Sequence, residues 1–349
     1  MKIAPVLEEM KKYPECFDLL FVHTGQHYDD GMSKVFLKDL ELPEPDVFLN
    51  VGSASHGAQT AKIMIAFEKV VHETMPELVI VVGDVNSTLA CAIVAAKIHI
   101  PVVHIEAGLR SNDRTMPEEI NRILTDQISD YLFITEPIAE KNLIAEGIAK
   151  EKIHFVGNIM INSLIKYSQK YETSRIFEKL HLVRGEYALV TLHRPSNVDH
   201  RETFQKILNV LSRIKRDIQI IFPAHPRTQK HMREFGLSDM ESDDHRLCVL
   251  DPMGYLDFIA LEKHARFVLT DSGGIQEETT FFQVPCLTVR ENTERPVTIT
   301  KGTNILVGTD PDRIIEEIMK ILNGCVKRGT VPEFWDDQVA RRIVDILKQ

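Results

Sequence analysis

Long apolar runs, a surplus of positive charge and closely spaced cysteines are all missing from this sequence. No stretch approaches the roughly 18–20 apolar residues of a membrane span, and no signal-peptide pattern opens the chain, so neither membrane insertion nor export is expected. Basic residues number 41 against 51 acidic, a formal net charge of −10. That balance argues against the phosphate-backbone footprint of a nucleic-acid binder. The five cysteines, at 16, 91, 248, 286 and 325, are odd in number and scattered, with no CxxC pair. They exclude a disulfide scaffold and a zinc ribbon and suit a reducing cytoplasm. No strand is followed by GxGxxG, which disfavours a dinucleotide cofactor of the usual kind, and the absence of GxxxxGKS/T excludes a P-loop kinase or ATPase.

What is present is ordinary globular composition, 44% hydrophobic and 26% charged over 349 residues, enough for about two domains with cores of their own. Short runs rich in β-branched residues fall at 19–22, 78–82, 102–105, 131–134 and 153–156, and again at 188–192, 218–222, 247–250, 267–270, 286–289 and 305–307. Amphipathic or small-residue stretches separate them, among them 58–71, 87–98, 117–128, 137–146 and 311–322. Continuously apolar strands alternating with helices mean α/β architecture: parallel sheets covered on both faces, in two Rossmann-like domains. The charged stretch 166–184 divides the two strand series and reads as a linking helix. The expected domains are therefore 1–165 and 166–335, with an amphipathic helix at 336–349 free to pack back on the first.

Ligands of open parallel sheets collect at the carboxyl ends of strands, and the polar residues of this chain gather there. The run 78–82 ends at Gly83-Asp84 and 102–105 at Glu106-Ala107-Gly108. In the second half, 188–192 ends at His193-Arg194, 218–222 at a turn holding His225, and 267–270 at Asp271-Ser272-Gly273-Gly274. The first domain thus carries carboxylates and the second carries cations and a glycine turn. Ser272-Gly273-Gly274 opening a helix suits a phosphate or diphosphate, because free backbone N–H groups and the positive helix end face the same way. Glu278 lies further along that helix, within range of a ribose hydroxyl. The plainer reading is an N-cap by Ser272. Asp84 is either a cap for the helix near Ser87 or a functional acid. Glu106, before Ala-Gly, is poor capping chemistry and favours function. Glu118 and Arg122, four apart on a predicted helix, read in isolation as a surface ion pair. His193 and His225 are open to structural and functional readings alike. His23, His27 and His104 have no coherent ligand spacing, so no metal site is expected.

Taken in order, GDVNSTLA, HIEAGLR, MPEEINR, TLHRPSNVD, PAHPR and TDSGGIQEE followed by NTERP resemble the motifs of the non-hydrolysing UDP-N-acetylglucosamine 2-epimerases over nearly the whole chain. The resemblance implies a glycosyltransferase-B-type fold with the active site in the interdomain cleft. It also implies a homodimer, a UDP-sugar substrate, no cofactor, and interconversion of UDP-GlcNAc with UDP-ManNAc by anti elimination to a 2-acetamidoglucal. Carried over by motif, the catalytic residues are Asp84, Glu106, Glu118 and His193. The substrate-binding residues are Lys2, Arg122, Arg194, His225, Met253, Phe258, Ser272, Gly273, Gly274, Glu278 and Arg295. Two departures stand out. Met1-Lys2-Ile3-Ala4-Pro5 matches only the end of the family's opening motif, without its strand and its nucleotide-contacting arginine; an inner sheet edge left unpaired there is costly. TGQHYDD also differs from many bacterial relatives in a region that contributes to a regulatory substrate site. A glycosyltransferase, a hydrolysing relative, a UDP-diacetamido-uronic acid epimerase and a UDP-sugar-binding paralogue without activity are the alternatives; the GLR after Glu106 fits the GlcNAc enzyme.

Overall fold

The structure, a computed structural model, describes residues 2–25, 43–237 and 246–349. His27 and the rest of TGQHYDD beyond Gly25 lie outside them. The chain forms two compact units, Met1–Lys166 with Glu333–Gln349, and Tyr167–Pro332.

In the first unit, β1 (Val22–His23) and β2 (Val47–Phe48) pair parallel with each other. A separate four-stranded parallel sheet runs β3 (Val79–Val82), β4 (Val102–Ala107), β5 (Tyr131–Ile134), β6 (Ile153–Phe155). Among the described residues no strand joins the two sheets. β4 is buried at all six positions, as expected for a strand with helices on both faces. Helices His56–Thr74 and Asn86–Lys97 pack on one another and share a core of Ile63, Phe67, Val81, Ala92 and Val102. On the other face the terminal helix Val339–Leu347 packs on the helices Ile3–Met10 and Ile159–Lys166. Its Val339, Ile343 and Val344 join Val6, Val103 and Phe133 in a second cluster. Gly157 (φ +94) lets the returning chain cross close to the sheet, since a Cβ there would collide with the carbonyl of Phe334.

The second unit is a six-stranded parallel sheet in the order β12-β11-β10-β7-β8-β9, with β7 (Tyr187–Thr191), β8 (Gln219–Pro223), β9 (Leu247–Leu250), β10 (Phe267–Thr270), β11 (Cys286–Thr288) and β12 (Asn304–Leu306). Strand order reverses between β7 and β10, so their carboxyl ends border the topological switch point at which such sheets bind ligands. Helices Arg201–Ile214 and Pro311–Leu322 bury Phe204, Ile207, Leu211, Ile314 and Ile318 against one face of the sheet. The stretch 166–184 is not one linking helix. It breaks into Ser168–Glu172 and Ile176–Leu180, because the Ser174 hydroxyl turns back to accept from the N–H of Ile176, and both pieces pack on the helix Tyr255–Lys263 of the second unit.

Candidate active site

Two strand ends and the helix Pro117–Gln127 of the first unit carry the acids. After β3 the chain turns at Gly83 (φ +75), where a Cβ would sit 3.4 Å from Glu106 Oε2 and 3.5 Å from Lys2 Nζ. Gly83, Asp84, Glu106 and Lys2 are therefore neighbours. Glu106 sits at φ +72 on a bulge that shifts the β4–β5 register between Ile105 and Ala107. A left-handed glutamate costs about 1–3 kcal/mol of strain, which persists only where the surrounding structure over-determines it. The bulge rotates the side chain out of the strand's alternation. Glu106 is 2% exposed. Oε2 pairs with the ammonium of Lys2, and Oε1 has no hydrogen-bond partner among the described residues.

Arg122 corrects the reading of a surface pair with Glu118. On the helix Pro117–Gln127 it is 1% exposed. Its Nε and Nη2 donate to Glu119 Oε2 at 3.0 and 2.5 Å, while Nη1 donates to Asp84 Oδ2 at 2.5 Å. With its guanidinium enclosed in this way, Arg122 holds Asp84. Glu119, not singled out from sequence, also accepts from the N–H groups of Ser111 and Asn112 at 3.0 and 2.9 Å. Burial works against its charge, but those N–H groups and Arg122 outweigh it and lower its pKa. Glu118 is half-buried in the first turn of the same helix, beside Glu119.

Beneath Gly83 lies a buried His104. Its Nε2 faces the Gly83 carbonyl at 2.8 Å and its Nδ1 the Asp126 carboxylate at 2.6 Å. Both neighbours are acceptors, so both ring nitrogens donate and the ring is a cation. Burial opposes that charge; Asp126 and the carbonyl override it and raise the pKa. Asp126 also meets Arg110 Nη2 at 2.7 Å, and Arg110 continues to Glu146. His104 and Asp126 thus brace the turn that carries Asp84. The uninterrupted burial of β4 hides this pair, since a buried polar residue in an apolar strand carries no sequence mark of its partner.

In the second unit the switch point is organised by Asp271, 0% exposed at the end of β10. It accepts from the backbone N–H of His193 (3.1 and 3.0 Å) and of Arg194 (2.9 Å) and from Asn197 Nδ2 (3.0 Å). His193 Nδ1 stands 2.9 Å from its Oδ1. Burial raises the Asp271 pKa, and His193 and the surrounding donors more than reverse that, so it is lowered overall. An ionised partner at Nδ1 leaves Nε2 of a neutral His193 as the free lone pair, on a side chain 38% exposed. The sequence placed Asp271 at a strand end without showing its partner, because the pair spans 78 residues. His225, whose Nδ1 accepts from the N–H of Arg227 and caps the helix Pro226–Glu234, has its ring 5.8 Å from that of His193.

Ser272 precedes the helix Gly273–Phe282 without any side-chain cap bond, which removes the plain N-cap reading. Buried Glu294 stands over Gly273, near Arg295; Arg295 pairs with Glu277 at 2.9 Å and Glu294 pairs with Arg290 at 2.8 Å. Arg194 Nη2 approaches Glu294 at 4.0 Å. Met253 and Phe258, both half-buried, flank the start of the helix Tyr255–Lys263, and Glu278 is buried, accepting from the Tyr255 hydroxyl at 3.4 Å. Among the described residues no group of three or more His, Cys, Asp or Glu side chains could hold a metal ion, and no helix is long and apolar enough to cross a membrane.

Two parallel-sheet units with functional groups at their strand ends place the chain among α/β proteins of the glycosyltransferase-B type. The family model described as UDP-N-acetylglucosamine 2-epimerase matches residues 8–348. The UDP-N-acetylglucosamine 2-epimerase of Methanocaldococcus jannaschii is 44% identical, covering 99% of this chain and 95% of its own length. The crystal structure of that enzyme in complex with UDP-GlcNAc and UDP superposes with a TM-score of 0.92 over the same shares of the two chains. The UDP-2,3-diacetamido-2,3-dideoxy-D-glucuronate 2-epimerase of Pseudomonas aeruginosa is 42% identical over 85% of this chain and 82% of its own. The chain belongs to the UDP-N-acetylglucosamine 2-epimerase family.

Proposed function

We propose that the protein interconverts UDP-GlcNAc and UDP-ManNAc by anti elimination of UDP to a 2-acetamidoglucal, followed by re-addition of UDP with a proton on the opposite face of C2. The C2 hydrogen of an N-acetylhexosamine is not next to a carbonyl, so its removal alone would leave a high-energy carbanion. Loss of UDP from C1 in the same event avoids that species. The reaction needs positioned acids and bases and fixed positive potential for the departing diphosphate.

Asp84, Glu106 and Glu118 handle protons at C2 and orient the sugar, with Arg122 holding Asp84. His193, oriented by Asp271, assists the leaving UDP. Ser272, Gly273, Gly274, Arg194, His225 and Arg295 receive the diphosphate, Glu278 the ribose, and residues around Met253 and Phe258 the base. Lys2 orients Glu106. The observation that carries this reading is Glu106, a strained and buried carboxylate with one oxygen left unpartnered. Such a group is poised to accept a proton or a substrate hydroxyl. We assign the protein to the cytoplasm as a homodimer; its five scattered cysteines accord with a reducing compartment.

Incubation with UDP-GlcNAc and no acceptor tests the reading by NMR: UDP-ManNAc should accumulate. Free ManNAc with UDP would indicate a hydrolase, and turnover only with an added acceptor would indicate a glycosyltransferase. The Pseudomonas aeruginosa relative motivates a second substrate, a diacetamido uronic acid. Arg110 speaks against it, because the guanidinium is buried against Asp126 and Glu146 and is not offered to a uronate carboxylate.

A further inference from the structure

Glu262 is a buried acid that the chemistry above leaves unused. On the helix Tyr255–Lys263, it is 0% exposed, and among the described residues neither of its carboxyl oxygens receives a hydrogen bond from a donor group. The group it touches is the carboxyl of Glu278 on the helix Gly273–Phe282, within hydrogen-bonding reach. Two carboxylates cannot accept from each other, so this contact exists only with a proton between them.

The titratable groups that act on the pair and on its neighbours agree. From β11 comes the thiol of Cys286, pushed up by burial to about 11. From the same helix as Glu262 comes the Tyr255 hydroxyl, donating to Glu278, with Tyr171 of Ser168–Glu172 behind it. From β7 comes Tyr187, whose hydroxyl is spent on the carbonyl of Leu261. The ammonium of Lys327 faces Cys286 but donates to the carbonyls of Ile299 and Asn304. Among the described residues no cation pairs with Glu262, and burial together with Glu278 raises its pKa well above the ordinary value. Glu278 has the tyrosine donor and Glu262 has none, which puts the negative charge on Glu278 and the proton on Glu262.

We propose that Glu262 is a carboxylic acid at neutral pH that donates its proton to Glu278 and thereby fixes Glu278 as an ionised, oriented acceptor for the ribose diol of the nucleotide. Glu262 is a positioning residue. The ribose half of the proposal rests on the assignment of Glu278 given above; the shared proton rests on Glu262 alone.

Infrared difference spectroscopy of the whole protein at neutral pH, wild type minus Glu262→Gln, should show a carboxylic-acid C=O band that the variant lacks. Absence of that band overturns the shared proton. Calorimetric titration then reads the consequence. Glu262→Gln keeps an N–H donor toward Glu278 and should bind UDP within about twofold of wild type, whereas Glu262→Leu, which has none, should bind about tenfold more weakly, the loss of one hydrogen bond to a charged group. With 2′,3′-dideoxy-UDP the two variants should bind alike. Equal UDP affinities for Gln and Leu overturn the positioning role. If wild type binds UDP and the dideoxy analogue equally, the ribose assignment of Glu278 fails, and the infrared band still decides whether the proton is shared.

Discussion

Replacing Arg122 by methionine removes the cation that joins Asp84 to Glu119 while keeping much of the side-chain volume. Arg122 and Glu119 each have about 1% of their side chains exposed, and Asp84 about a quarter. Breaking a buried ion pair by deleting one partner costs about 3–5 kcal/mol, most of it the stranded charge. Glu119 retains the Ser111 and Asn112 N–H groups, and Asp84 can turn to water, so the lower end, about 3 kcal/mol, is expected. The chain has one tryptophan, Trp335, buried in the first unit with its Nε1 donating to the Thr135 carbonyl at 3.3 Å. Its emission therefore follows that unit alone. At about 2–4 °C per kcal/mol for a unit of this size class, the Trp335 transition should fall by about 6–12 °C. Glu119→Gln combined with Arg122→Met should recover part of the loss, because the stranded charge is gone. Refutation is a Trp335 shift below about 2 °C, or a double variant no more stable than Arg122→Met alone.

Four further outcomes follow from the same contacts. Asp271→Asn removes the anion that sets the His193 tautomer, so turnover should fall by about 10²-fold with UDP affinity by calorimetry little changed. Asp271 and Glu119 have lowered carboxyl pKa values in the folded protein, so their stabilisation is complete above the unfolded value near 4 and is lost as pH falls through the folded values; acid unfolding curves should be flatter for Asp271→Asn. Gly273→Ala drives a Cβ into the Glu294 carboxylate, which Arg290 holds in place, and should weaken UDP binding about tenfold in titration. Gly157→Ala combines φ +94 with a collision against the Phe334 carbonyl and should destabilise the first unit by about 3 kcal/mol, read again from Trp335 fluorescence.

Most strands were legible in the sequence because parallel strands buried on both faces are uninterrupted β-branched runs: 131–134, 247–250 and 267–270 coincide with β5, β9 and β10. The helix at 311–322 was bounded by its own chemistry, Asp310 capping the N–H of Asp312 ahead of Pro311. Val47–Phe48 escaped notice because two residues beyond Pro43 and Pro45 make no periodic signal. In the site, residues at strand ends could be found by position, but their partners could not. Arg122 reads as a surface cation next to Glu118 until the fold shows which side of the helix is covered. Asp271, Asp126 and Glu262 act through contacts with residues distant in sequence, and spacing does not encode such contacts. The strain at Glu106 was equally silent, since a bulge depends on pairing with β5.

The central claim is that a proton leaves C2 and returns on the other face. Turnover of UDP-GlcNAc in deuterium oxide, with C2 of the product examined by NMR, measures this directly. UDP-ManNAc should carry deuterium at C2 from the first turnovers, and the label should enter recovered UDP-GlcNAc as the reaction reverses. UDP-ManNAc formed with protium retained at C2 would contradict the account.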